Sequence, residues 1–352
     1  MNRFALPMVA ALLVSMPGAH AQQTLDIYWT DADGAAATLI VTPEGQSILV
    51  DSAFERPENT YANRIKAAMD DAGVTQIDYA FTTHYHGDHV GGLFALAEMV
   101  PIIEFVDHGE TTLPDEGGQA RYAQYVELAA TGERTTVSPG MTLPVRGVDV
   151  VVIASHKEFL TEPLMGPAEP NPVCETANPS SQYCRGDECV STALADFDGE
   201  DIYSAGFHLS MGDFQYVNVG DLSYGGLHAL VCPVNNVGTI DLLDYPHHGN
   251  DIAPQFVASL APVAAVSSAG ATKGGNPDGY EAAAASPGLE GFWQMHYATG
   301  TDDAHNTEER KIANLAPENE HGHWIKAEVQ PDGSSFTITN ARNGYSETYT
   351  SR

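Results

Sequence analysis

The chain has 352 residues, 43% of them apolar, enough to bury a substantial core. Its 47 acidic residues against 15 basic ones give a formal net charge of −32. That sign argues against partnership with DNA, RNA or anionic membranes, whose binding rests on Lys and Arg neutralising phosphates. It fits solubility or a salty habitat better than any specific cationic partner.

Residues 1–21 read as an export signal: Arg3 gives a short positive start, residues 5–16 an apolar run, and Ala19-His20-Ala21 a small-x-small cleavage site. The run is too short to span a bilayer comfortably, no later stretch is long enough, and no cysteine follows the cut to carry a lipid. The remaining residues, 22–352, are expected to be soluble in the periplasm or outside the cell. Short strands are expected at 25–30, 37–42 and 47–50, separated by turns rich in Gly, Asp and Pro. Tyr61, Ile65, Ala68, Met69 and Ala72 recur at helical spacing, so 61–72 is expected to be a helix. A strand at 77–82 runs into a His-rich segment, followed by a helix at 91–99 and strands at 102–106 and 148–154.

From 162 to 201 the composition turns to Pro, Asn, Ser, Gly and Cys, which reads as a long insertion. Cys174, Cys184, Cys189 and Cys232 allow three disulfide connectivities in an exported chain. The closeness of Cys184 to Cys189 favours a small loop between them, leaving Cys174 for Cys232. A zinc-binding cysteine cluster is the rival, but Cys174 and Cys232 form no matching pair for it. Beyond the insertion, 203–210 and 214–219 read as a hairpin, 240–243 as a strand, 252–260 as a helix and 263–267 as a strand. A last hairpin, 324–329 with 335–340, turns at Pro331-Asp332-Gly333. Strands in runs with helices between them favour two sheets sandwiched between helices.

Chemistry concentrates in Thr83-His84-Tyr85-His86-Gly87-Asp88-His89-Val90-Gly91-Gly92, directly after an apolar strand. Imidazole and carboxylate are good ligands for Zn²⁺ and related ions. Strand-like spacing sends His84 and His86 to one side, and a turn at Gly87 lets Asp88 and His89 approach from the next helix, so two neighbouring metal positions can be served. Asp221 ends an apolar strand, where a carboxylate can bridge two ions, and His247 and His248 follow another strand.

The order of these segments resembles the metallo-β-lactamase superfamily: H-x-H-x-D-H, then a strand-end Asp, then a strand-end His. Within it the chain is similar to the branch related to the hydrolase domain of the DNA-uptake protein ComEC. Three parts carry that likeness: 31–40 with 47–51, Thr83 to Gly92, and Gly220-Asp221-Leu222 with Pro246-His247-His248-Gly249. The resemblance implies an α/β fold, a four-layer αββα sandwich, and a hydrolytic centre of one or two metals, usually zinc, with manganese or iron as alternatives. It assigns His84 and His86 to one metal, Asp88 and His89 to the other, and Asp221 to the bridge. His247 or His248 completes the second position, with His247 favoured because it comes first off the strand. A further family histidine is matched to His156, with His208 as substitute. Asp51 is expected to hold a ligand histidine in place; His108 and His296 are candidates to reach the pocket, though such histidines are more often surface or packed residues. Asp88 also has the place of a residue that accepts a proton or orients a nucleophile.

The expected activity is hydrolysis of an ester, lactone, amide or phosphodiester in a small or medium substrate, without nucleic acid or membrane. A non-catalytic metal- or ligand-binding module on the same fold is the alternative. A redox role would need an electron-carrier domain, and none is evident in the sequence.

Overall fold

Alternation of side chains along the strands decides what each face meets. Leu25, Ile27 and Trp29 point into one apolar cluster while Tyr28 between them points into another, and Phe214 and Tyr216 are divided from Val217 in the same way. The computed structural model describes residues 24–176, 182–185, 188–191, 199–316 and 322–352, with the backbone alone for 175, 176, 182–185 and 188–191. The expected export signal therefore lies outside the described residues.

Two large sheets result. The first runs in the order Ser346–Thr350, Ser335–Asn340, Ile325–Val329, Leu25–Trp29, Thr38–Val41, Ser47–Val50, Ile77–Phe81, Ile102–Asp107, Glu133–Thr136. The second runs Ile312–Asn314, Gly291–His296, Ala264–Ser267, Leu242–Tyr245, Phe214–Asn218, Gly206–Met211, Asp149–Ser155, Thr142–Leu143. Their facing sides share a core in which Phe81 meets Phe207 with ring centroids 4.9 Å apart and Phe214 meets Phe336 at 5.3 Å. The outer face of the first sheet is covered by helices Thr60–Ala72, Leu93–Ala97 and Glu116–Ala129, through Ile65, Met69, Leu96 and Tyr125. Helices Tyr224–Val231, Pro254–Leu260 and Pro277–Ala284 cover the second through Leu227, Leu230, Phe256 and Ala283. The fold is the four-layer αββα sandwich.

Several expected elements are shifted. The helix expected at 91–99 is divided into Gly87–Val90 and Leu93–Ala97. Gly91 and Gly92 lie between them, against the 52–55 backbone, and a Cβ on Gly92 would stand 2.1 Å from the Ser52 carbonyl oxygen. The strand expected from 203 begins at Gly206, because Glu200–Tyr203 forms a 3-10 turn tied down by the buried Glu200 side chain. Helix Glu116–Ala129 was not anticipated; two glycines in its first turn mask it, and Asp115 caps it by accepting from the Gly118 amide at 2.8 Å. No helix among the described residues is long and apolar enough to cross a membrane.

Cys174 is bonded to Cys232, with Cα atoms 5.8 Å apart and a sequence separation of 58. Residues 184 and 189 face each other across an antiparallel pair of strands, and their side chains lie outside the description. Closing a loop of that length restricts the unfolded chain, so Cys232→Ser is expected to cost about 2–5 kcal/mol. Thermal melting should show the loss, and reductant should lower the midpoint of the parent protein but barely that of the variant. Equal midpoints of oxidised parent and variant would contradict this role.

Candidate metal centre

Strands Ile77–Phe81, Phe214–Asn218 and Leu242–Tyr245 deliver their following loops to one place. The loop after the first carries His84 and His86 and leads into helix Gly87–Val90, which carries Asp88 and His89. The second loop turns at Gly220, in the left-handed region at φ +54°, where a Cβ would come within 2.7 Å of the Thr83 side chain; this turn presents Asp221. The third reverses after Pro246 through two successive left-handed residues, His247 (φ 46°) and His248 (φ 53°). That reversal buries His248 and leaves His247 partly exposed.

Two groups of donor atoms form. In one, Asp221 Oδ2 lies 3.1 Å from both His89 Nε2 and His248 Nε2, and Asp88 Oδ2 lies 3.5 Å and 3.4 Å from the same nitrogens. In the other, His84 Nε2 and His86 Nδ1 are 3.0 Å apart, with Asp201 Oδ1 at 3.5 Å and 2.9 Å from them. The groups adjoin: the His84 and His89 rings are 4.0 Å apart. His89 Nε2, His248 Nε2 and Asp201 Oδ1 are buried without a hydrogen-bond partner. Buried polar atoms left this way are costly, and several aimed at common points fit a divalent cation.

Other contacts hold the donors in place. His89 Nδ1 donates to Asp51 Oδ2 at 2.7 Å, while the Thr83 amide and hydroxyl each donate to the Asp51 carboxylate at 2.8 Å. His248 Nδ1 is 3.1 Å from the Ser268 hydroxyl. The Lys273 ammonium pairs with Asp88 from the Gly270–Gly275 turn. Burial alone would lower the His89 pKa, but Asp221, Asp51 and Asp88 hold it well above the usual range. Burial likewise works to raise Asp221, but His248, His89 and His247 hold it well below its usual value. The carboxylates thus favour positive charge at this point, which a divalent cation would also supply.

Of the residues singled out in the sequence, His84, His86, Asp88, His89 and Asp221 are brought together. His247 stands 3.7 Å from Asp221, farther than His248. His156 is not brought to the centre: it lies exposed against Tyr203, ring centroids 5.2 Å apart. His208 is buried inside its strand, where desolvation lowers its pKa to about 4. His108 bonds Glu200 at 3.1 Å, and His296 bonds Asp31 at 2.6 Å. Asp201 and Lys273 were missed. Asp201 sits at the end of the irregular insertion, and Lys273 is a lone cation in a Gly-rich turn; neither carries a spacing signal.

The family model of the metallo-beta-lactamase superfamily matches residues 30–173. Over that segment the chain is similar to members of this superfamily. No curated protein matches the sequence significantly. Among solved structures, it is similar to MEM-A1, a subclass B3 metallo-beta-lactamase from a soil metagenome library, at 14% identity over 67% of this chain and 82% of that one, TM-score 0.38. It is similar to CmlA, a diiron beta-hydroxylase from Streptomyces venezuelae, at 14% identity, TM-score 0.38; the match covers 70% of this chain and 44% of CmlA, so it spans less than half of that protein. A diphosphatase of the PhnP family matches at 10% identity over 69% of this chain and 85% of that one, TM-score 0.35.

Two outcomes are expected. Removing the carboxylate at Asp51 strands buried partners, so Asp51→Ala should cost the metal-free protein about 3–5 kcal/mol, read by chemical denaturation; a cost below about 1 kcal/mol would show that water replaces it. Next to the centre, buried Asp244 accepts from Thr38, Tyr216 and Asn218 at 2.8–3.0 Å, and desolvation raises its pKa to about 6. Its folded form therefore holds a proton more tightly than the unfolded chain, and stability present below the ordinary carboxylate pKa is lost as pH rises through 6. Between pH 4 and pH 7 the parent should lose on the order of 3 kcal/mol relative to Asp244→Asn. Parallel pH profiles for the two proteins would refute this.

Proposed function

We propose that the protein is an exported metal-dependent hydrolase that cleaves an ester, lactone, amide or phosphodiester in a small or medium substrate. The observation that carries this reading is the convergence of His84, His86, Asp88, His89, Asp221 and His248, with two buried imidazole nitrogens lacking partners. His84 and His86 would hold one ion, Asp88, His89 and His248 a second, with Asp221 between them. Zinc is the default occupant, with manganese or iron as alternatives. Bound there, such ions supply a nucleophilic hydroxide near neutral pH and a Lewis acid for the developing oxyanion.

The chain's own groups do the rest. Asp88, beside His89 and His248 and paired with the Lys273 ammonium, is suited to orient the nucleophile. Asp51 fixes the His89 tautomer by accepting from Nδ1, which leaves Nε2 as the donor. A cleft of about 390 Å³ lined by Gly87, Gly91, Phe94 and Arg121 adjoins helix Gly87–Val90, and none of the donor residues lines it. The net charge of −32 speaks against nucleic acid or an anionic membrane as partner. Export is supported by the Cys174–Cys232 bond, which persists in oxidising compartments; a leader at 1–21 and one hydrolase domain over 22–352 belong to this reading.

The test is metal content and turnover of the purified protein beside His86→Ala, on chromogenic phosphodiesters, esters, lactones and a β-lactam. Roughly two ions per chain and metal-dependent turnover, lost by 100-fold or more in the variant, are expected. No bound metal and no turnover after loading with zinc or manganese would leave a binding module on a hydrolase scaffold.

A further inference from the structure

The ion position at His84 and His86 needs a third protein donor, and no histidine among the described residues stands there. We infer that Asp201 is that donor, and that its carboxylate shifts the preference of this position from zinc towards manganese or iron(II). The inference rests on the metallohydrolase reading above.

Geometry supports the role. Asp201 Oδ1 is buried and lies within 3.5 Å of both imidazole nitrogens, yet it is aligned for a hydrogen bond with neither. Three donor atoms thus surround one point from two elements distant in sequence. Asp201 also occupies the chain position between the His-rich segment and Asp221, on the turn entering strand Gly206–Met211.

The neighbouring residue explains why the placement is firm. Glu200 is buried and accepts from the Tyr85 amide at 3.1 Å, the Thr111 hydroxyl at 3.1 Å, and the Thr112 amide and hydroxyl at 2.6 Å and 2.8 Å. His108 Nε2 adds a contact at 3.1 Å. Glu200 is therefore a positioning residue: it pins the turn to the loops of the first sheet and points Asp201 back at His84 and His86. The Tyr85 amide it binds lies between those two histidines in sequence.

The chemical consequence follows from donor type. Three imidazoles favour zinc; two imidazoles and one carboxylate also hold zinc, but are in addition the donor set of non-haem iron(II) sites, and oxygen donors suit manganese. Zinc still binds more tightly in absolute terms, so the quantity to read is the affinity ratio between parent and variant.

The experiment strips the full-length protein with chelator and titrates it anaerobically with zinc, manganese and iron(II) alone, counting ions by native mass spectrometry. Asp201→His should raise the zinc-to-manganese affinity ratio of one position about tenfold or more. Asp201→Ala should lower the stoichiometry towards one, and Glu200→Gln should weaken that position about tenfold for every ion while leaving the ratio alone. Melting of the metal-free proteins checks folding; if Asp201→Ala does not fold, Asp201→Asn takes its place. An unchanged ratio in Asp201→His, or two ions held with parental affinity in Asp201→Ala, would overturn the assignment while leaving the hydrolase reading intact. A parent protein that binds no ion would overturn both.

Discussion

One buried carboxylate organises the rest of the centre. Asp51 leaves the end of strand Ser47–Val50 and joins three groups at once: the Thr83 amide, the Thr83 hydroxyl and the His89 ring. Because it is buried, none of these bonds is shared with solvent, and each is strengthened by the low local dielectric. The Ser52 amide continues the link by donating to the His89 carbonyl at 2.6 Å. The first sheet thereby fixes the direction of His89 Nε2, and with it the point at which Asp221 and His248 of the second sheet must meet it. The two halves of the sandwich are joined by apolar packing between the sheets and by opposite charges at their edge.

The sequence made some of this legible and hid the rest for identifiable reasons. The period of two in Leu25–Trp29 and Phe214–Asn218, and the helical period in Thr60–Ala72, report burial directly, so the layers could be anticipated. His84, His86, Asp88 and His89 lie within six residues and announce themselves by density. The choice between His247 and His248 was not readable, because it depends on two left-handed residues after Pro246, a conformation that neither side chain advertises. Asp201 was not readable either. Its role arises from a contact with residues more than a hundred positions earlier, and its own neighbourhood resembles any acidic loop in a chain with 47 acidic residues.

The same abundance of acid gives meaning to the few cations. Lys273 is drawn to Asp88, and the Arg121 guanidinium donates to the Tyr85 carbonyl at 3.2 Å beside the cleft. Against a surface of opposite sign, these charges are local and short in range at physiological ionic strength, acting within about 8 Å. They bear on what happens at the centre more than on what the molecule attracts from afar.

The Cys174–Cys232 bond and the Glu200 anchor together bound the insertion. One fastens the insertion's early end to the helix layer of the second sheet, and the other fastens its exit to the loops of the first. The two fixed points thus hold the donor frame independently of the chain that joins them.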